Sequence, residues 1–177
     1  MSESQVTIET LSPARFDACL DGLAAVLNAA VLAGASVSFI LPHTMDDSLA
    51  FWRDKIGPAV HNGNRIVLAA LADGEVVGTV QLYCQTPPNQ PHRADVVKML
   101  VHPDYRSRGI ARLLMEALES EAQRHGRWLL TLDTANEHAE ALYASLGYEQ
   151  VGVIPAYARD PADPDRFDAT MVMYKRL

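Results

Sequence analysis

With 177 residues, 49% of them apolar, the chain is long enough to bury one substantial core and short for two. A formal net charge of −7 leaves no basic face of the kind that general binding to nucleic acid or to an anionic membrane requires, so any polyanion must be held locally. Two cysteines, Cys19 and Cys84, are too few for a disulfide framework and lack CxxC spacing, which fits two reduced thiols in a cytoplasmic protein.

In chain order, residues 6–11 alternate as a strand, and Ser12-Pro13 then offers an N-cap followed by proline at the first helical position. Phe16, Leu20, Leu23, Leu27 and Val31 recur at helical spacing up to a stop at Gly34. Residues 23–41 are uncharged and approach the length of a membrane span, but Asn28, Gly34, Ser36 and Ser38 interrupt them and no basic flank precedes them, so a buried helix followed by a loop is expected. The opening MSESQVTIE lacks the pattern of a signal peptide. Thr44 with Asp47 resembles a capping box for a second helix carrying Leu49, Trp52 and Ile56 and ending near Gly57-Pro58.

Residues 65–72 and 75–85 are β-rich runs joined by Asp73-Gly74, a strong signal for an antiparallel hairpin. Residues 86–92, with three prolines, read as a loop and 94–101 as another strand, closed by Pro103. A third helix buries Ile110, Leu113, Leu114, Ala117 and Leu118 and stops at Gly126. The near-continuous apolar run 128–132 suggests burial on both faces, as in a parallel pair joined by a crossover helix. Residues 136–146 form a fourth helix with Ala139, Leu142, Tyr143 and Leu146, stopped by Gly147; residues 148–154 and 169–174 close the sheet around an exposed Pro/Asp-rich loop, 155–165. No repeat, low-complexity tract or linker divides the chain, so residues 1–177 form a single domain.

The stretch HPDYRSRGIARLLMEAL puts Arg106, Arg108 and Arg112 around Gly109 where the third helix begins. The macrodipole disfavours cations there by roughly 0.3 to 1 kcal/mol each. Unpaired amides at a helix start form a ready anion site, and glycine lets an anion reach the backbone. A diphosphate ligand is one reading; a solvated turn paired with Asp104 and Glu116 is the other. Neither GxxxxGK[ST] nor GxGxxG is present, so the common nucleotide fingerprints do not apply.

Two segments carry a resemblance to a known family, the GCN5-related N-acetyltransferases. Residues Arg106, Ser107, Arg108, Gly109, Ile110 and Ala111 resemble that family's [QR]-x-x-G-x-[GA] loop, and NEHAEALYASLGY, with Asn136, Ala139, Tyr143, Gly147 and Tyr148, resembles its N-x-x-A-x-x-x-Y-x-x-x-G-[FY] segment. The resemblance implies an α/β fold with a mixed, mostly antiparallel sheet of about seven strands, about four flanking helices, and fourth and fifth strands that splay apart. It implies acetyl-CoA as co-substrate, its pantetheine arm in the splay. By position, the backbone of Leu100 and Val101 would bond that arm, amides from Arg108 through Ile110 and Ala111 to Arg112 would hold the pyrophosphate, and Asn136 would lie beside the arm.

Acetyl transfer from a thioester needs a neutral amine, donors for the oxyanion of a tetrahedral intermediate, and a proton for the leaving thiolate. Asp95, in a run where aspartate is disfavoured, shares a face by alternation with Val97 and Met99 and resembles the family's fourth-strand carboxylate base; an ion pair with Arg93 is the alternative. Asp133 at the end of the fifth strand would face the acceptor, or cap the following helix. Tyr143 matches the family's tyrosine acid, against a purely packing role. The oxyanion donor would be an amide near Met99 or Leu100.

Cys84 has no histidine partner in sequence and reads as packing, and the six histidines show no metal-ligand spacing, so no metal is expected. In the resemblance, acceptor specificity belongs to the first two helices, including Ser38 and Phe39, and to the loop between the last two strands. GASVSF, RADVVKMLV and LLTLDT together resemble the tabtoxin-resistance type, which acetylates an amine on a small amino-acid-like toxin. The expected partner is a small-molecule amine, with toxin or antibiotic resistance as one role; the composition also permits a homodimer.

Overall fold

The computed structural model describes residues 5–177. Four strands, β1 (Val6–Thr10), β2 (Arg65–Ala72), β3 (Glu75–Tyr83) and β4 (Arg93–Val101), pair with one another in succession, each pair antiparallel; Asp73 and Gly74 both take positive φ (52° and 86°) to turn β2 into β3. β5 (Leu129–Thr134) joins β4 as a parallel neighbour, and β7 (Phe167–Arg176) inserts between β5 and β6 (Glu149–Arg159). The seven-stranded order is β1-β2-β3-β4-β5-β7-β6, the mixed, mostly antiparallel sheet that the resemblance implies.

Each face of the sheet is buried against helices, and β2 shows how: Leu68, Ala70 and Ala72 enter one core while Val67 and Ala69 enter the other. On one face lie α1 (Pro13–Ala18), α2 (Leu20–Leu32), α3 (Met45–Ala50) and α4 (Gly57–His61), which contribute Phe16, Leu23, Leu27, Val31 and Val60. On the other lie α5 (Ile110–Arg124) and α6 (Glu137–Ser145), with Ile110, Leu114, Leu118 and Tyr143.

Six helical segments stand where about four were expected, because two sequence helices are interrupted. The first breaks at Cys19 (φ −98°, ψ 2°), yet its buried stripe continues across the break. The second starts at the capping box: Thr44 Oγ1 accepts from Asp47 N at 3.1 Å while Thr44 N donates to Asp47 Oδ2 at 2.9 Å. It does not end near Gly57-Pro58. A π-helical turn over Phe51–Ile56 widens the hydrogen-bond register and the helix resumes as α4, with proline in a first turn where its missing N–H is harmless.

Two irregularities in the sheet create the site. Pairing of β4 with β3 slips between Thr79 and Gln81, and opposite the slip Lys98 takes a left-handed φ of 53°, so a bulge sits in mid-strand. The bulge inverts the facing of the residues beyond it: Ala94 and Val96 belong to the α5 side and Leu100 to the α2 side, while Met99 packs with the α5 side. Asp95 therefore does not share a face with Met99, as plain alternation predicted. Beyond Asp95 the parallel partnership with β5 ends, after only Arg93↔Leu129, Ala94↔Leu130 and Asp95↔Thr131. The two strands part there, leaving a slot.

The segment 155–165 is also less loop-like than expected. β6 continues to Arg159 through a second irregularity, where Ala156 has a φ of 50°, and only residues 160–166 form the tip of a long hairpin. Asp160 stiffens that tip by accepting from Ala162 N and Asp163 N (both 2.8 Å) and pairing with Arg166.

Candidate active site

At one end of the slot the chain turns through Pro103–Tyr105, a single 3-10 turn, into α5. Gly109 is the N-cap, at φ 76°, and contributes no side-chain cap. From Ser107 to Arg112 no backbone N–H finds an acceptor among the described residues; the first helical bond is Leu113 N to Gly109 O. A Cβ built at Gly109 would meet nothing within 4 Å, so the approach to these six amides is open. The three arginines fan around it. Arg106 Nε donates to Val101 O (3.3 Å), Arg108 Nη2 to Asp104 O (2.9 Å), and Arg112 Nη2 to Ser145 Oγ (2.7 Å). Only Arg112 meets a carboxylate, Glu116 at a loose 3.8 Å, so the reading of this turn as an ion-pair cluster with Asp104 and Glu116 accounts for little of its charge.

Along the slot, His102 N donates to Val77 O, which fixes the alternation of the preceding peptides. Leu100 is turned to β3, with its side chain buried, and the peptides of Met99 and Val101 face the slot. Of the two backbones expected to bond the pantetheine arm, Val101 is exposed to the slot and Leu100 is not.

At the other end a cleft of about 650 Å³ opens between the π-helical turn and the parting strands. Asp95, Lys98, Thr131, Asp133 and Ser38 line it, together with Arg65, Tyr83 and Tyr157. Asp95 is the most committed group in it: Arg93 pairs with its Oδ1, Thr131 Oγ1 donates to the same oxygen, and Arg93 also donates to Thr131 at 2.9 Å. The ion pair that the sequence left as an alternative is thus present. Asp133 is freer, accepting from Thr170 Oγ1 at 2.9 Å through one oxygen. It does not cap α6. That position is filled by Asn136, whose Oδ1 accepts from His138 N (2.9 Å) and Ala139 N (3.1 Å). Tyr143, on α6, packs in the core on the α5 side and is 5% exposed; burial first, and the Asp133 charge second, push its phenol up to about 12. It stays protonated at neutral pH, and no hydrogen bond occupies its hydroxyl among the described residues.

A turn of unpaired amides, a strand with free peptides, and a carboxylate-lined cleft thus lie along one parting of the sheet. The profile of the Acetyltransferase (GNAT) family matches residues 31–148. The chain belongs to the GNAT acetyltransferase family. Solved structures agree on the fold of this family over the whole length. A ribosomal-protein-alanine N-acetyltransferase from Brucella melitensis is 25% identical with a TM-score of 0.76, covering 97% of this chain and 99% of its own. A phosphinothricin acetyltransferase from Sinorhizobium meliloti, solved with acetyl-CoA, is 19% identical with a TM-score of 0.78, covering 97% and 88%. An acetyltransferase from Salmonella typhimurium, also solved with acetyl-CoA, is 21% identical with a TM-score of 0.71, covering 98% and 95%.

Within this GNAT site, Ser38 lines the cleft as expected, whereas Phe39 stands behind it, its ring 5.8 Å from Lys98 Nζ and 5.1 Å from the ring of Phe51. Lys98 and Arg65 were not anticipated. One signal was available: plain alternation would have buried Lys98 beside Ala94 and Val96, a conflict that a bulge resolves. Arg65 opens its strand without any local mark. Cys84 has its thiol pushed up, mainly by burial, which keeps it a poor nucleophile. Among the described residues no group of three or more His, Cys, Asp or Glu could hold a metal, and no helix is long and apolar enough to cross a membrane.

Proposed function

We propose that the protein is a cytoplasmic enzyme that moves an acetyl group from acetyl-CoA directly to the primary amine of a small, amino-acid-like molecule. The observation that carries this reading is the run of six unpaired amides from Ser107 to Arg112, opening without obstruction at Gly109 at the far end of the slot from the carboxylate-lined cleft. A pyrophosphate suits such a turn, because amides, dipole and mobile arginines all complement it. Acetyl-CoA supplies the activated acyl group. The chain's part is to hold that donor through Arg106, Arg108, Ile110, Ala111 and Arg112, to offer the peptides of Met99 and Val101 along the slot, and to manage two protons.

Asp133 is the better-placed acceptor of the amine's proton, directly or through water, because among the described residues no cation pairs with it and its one donor is the Thr170 hydroxyl. Asp95, its Oδ1 tied to Arg93 and Thr131, in this reading fixes the cleft's floor and orients the amine. A Met99 or Val101 amide donates to the carbonyl oxygen where negative charge develops. Tyr143, kept protonated at about 12, donates a hydrogen bond to the departing sulfur, and the proton that Asp133 has taken from the nitrogen returns through water to make the free thiol. Leu41 N donates to Pro161 O at 2.8 Å, tying the α2–α3 connection to the tip of the β6–β7 hairpin, which favours a small acceptor over an extended peptide. This is consistent with the resemblance to the tabtoxin-resistance type, with resistance as one role.

Purified protein with acetyl-CoA and a panel of primary amines and short peptides tests it, reading free thiol and product mass. Thiol release with small amines is expected. Release with peptides alone, or with no acceptor at all, would overturn the small-amine reading.

A further inference from the structure

The acceptor cleft carries cations that no ion pair among the described residues engages, with Asp133 acting on Lys98 only from a distance. Three cations line it, Lys55, Arg65 and Lys98, against Asp95 and Asp133, and Asp95 is already spent on Arg93. Among the described residues neither Arg65 nor Lys98 has a carboxylate oxygen within ion-pair distance. Arg65 is half-buried, stacked 4.7 Å over the Tyr83 ring; its one acceptor is Gln81 Oε1 at 2.6 Å, and its Nε is buried with no partner, as is Nε2 of Gln81. Lys98, placed in the cleft by its bulge, donates to Ser38 Oγ at 2.8 Å and lies 5.8 and 6.0 Å from the rings of Phe39 and Phe51. Burial, and then repulsion from Arg65, lower its ammonium to about 8, against a smaller opposing pull from the Asp133 charge.

Two desolvated cations kept near each other and away from carboxylates are costly, and aromatic faces repay only part of that cost. A protein with an excess of seven acidic charges has ample means to pair them. Their open donors point to an anion that arrives with the substrate. We propose that Arg65 and Lys98 together bind the carboxylate of the acceptor, so that the amine acetylated belongs to an amino acid or a close analogue rather than to a neutral amine or a polyamine. The reaction in this statement rests on the acetyltransferase reading above; the anion site does not.

The chain has three lysines, so protein labelled with carbon-13 at lysine Cε gives three signals, and the one lost in Lys98→Met identifies its own. Without acetyl-CoA, propionate and a set of L-amino acids at millimolar concentration are expected to raise the Lys98 titration midpoint while Lys55 and Lys175 stay put. Arg65→Gln is expected to weaken that response and needs only to fold. In thiol-release assays, L-amino acids are expected to outperform their carboxamides, which carry the same amine without the charge, by roughly 10- to 100-fold in kcat/KM. Lys98→Met and Arg65→Gln are expected to raise KM for the acids by a much larger factor than for the carboxamides. A Lys98 signal that ignores carboxylates, with carboxamides turned over as well as acids, would overturn the anion site and leave acetyl transfer standing. A shifted signal with no thiol released from any amine would support the anion site and remove the transferase reading instead.

Discussion

The two ends of the slot are made of different material. The turn from Ser107 to Arg112 is a contiguous stretch whose working groups are backbone amides, set by one left-handed glycine at the start of one helix. The acceptor cleft draws side chains from the α2–α3 connection, the π-helical turn, β2, β3, β4, β5, β6 and β7. An end built from peptide groups recognises what every donor of its kind shares, and tolerates wide variation in side chains around it. An end built from side chains on separate elements can be rewritten one residue at a time, which suits it to choosing the acceptor.

The largest expected effect separates the ends outright. Gly109→Val puts a β-branched residue at φ 76° and a side chain in the path of the phosphates. Acetyl-CoA affinity by calorimetry is expected to fall roughly 100-fold or more, since several charge-assisted bonds are lost together. The response of Lys98 to carboxylates is expected to stay intact. Loss of both responses in folded protein would show that the ends are not independent.

Next comes the group between them. Tyr143→Phe removes a hydroxyl that no other residue uses, so kcat is expected to drop roughly 100-fold, with acetyl-CoA affinity unchanged. An unchanged kcat would reduce Tyr143 to packing against Tyr148, whose ring lies 5.8 Å away.

The smallest effect is on stability and belongs to the acceptor end. Lys98 is held at about 8, by burial and then by Arg65, against about 10.4 in an unfolded chain. Between those values the unfolded chain binds more protons, so stability rises with pH across that window, and below it the whole penalty is present. Lys98→Met is therefore expected to stabilise the fold at pH 7 by on the order of 1 to 3 kcal/mol, the gain fading towards pH 10.5 in urea titrations. A destabilised variant at pH 7 would mean that the Ser38 bond and the aromatic contacts outweigh the burial of charge.

The same division governs what could be read in advance. The helix caps at Ser12 and Thr44, the Asp73-Gly74 turn and the amphipathic α5 are governed by contacts within a few residues, and all four stand where the pattern put them. The break at Cys19 was not foreseen, because the apolar stripe runs on across it, and the end near Gly57-Pro58 was misjudged, because a widened turn absorbs the proline. Met99 was assigned to the wrong face because one bulge inverts every later side chain, and Asp133 lost its capping option to Asn136, three residues on.

Local chemistry, then, was enough to define the seven strands, the glycine turn with its open amides, and Tyr143 on its helix, since each depends on periodicity or on backbone geometry over a short span. Long-range packing alone determined that Thr131 joins Arg93 at Asp95, that β4 and β5 part after three pairs, and that Lys98 and Arg65 share a cleft. Those residues lie tens of positions apart, and the electrostatic cost that makes the two cations informative arises only once folding has removed the water around them.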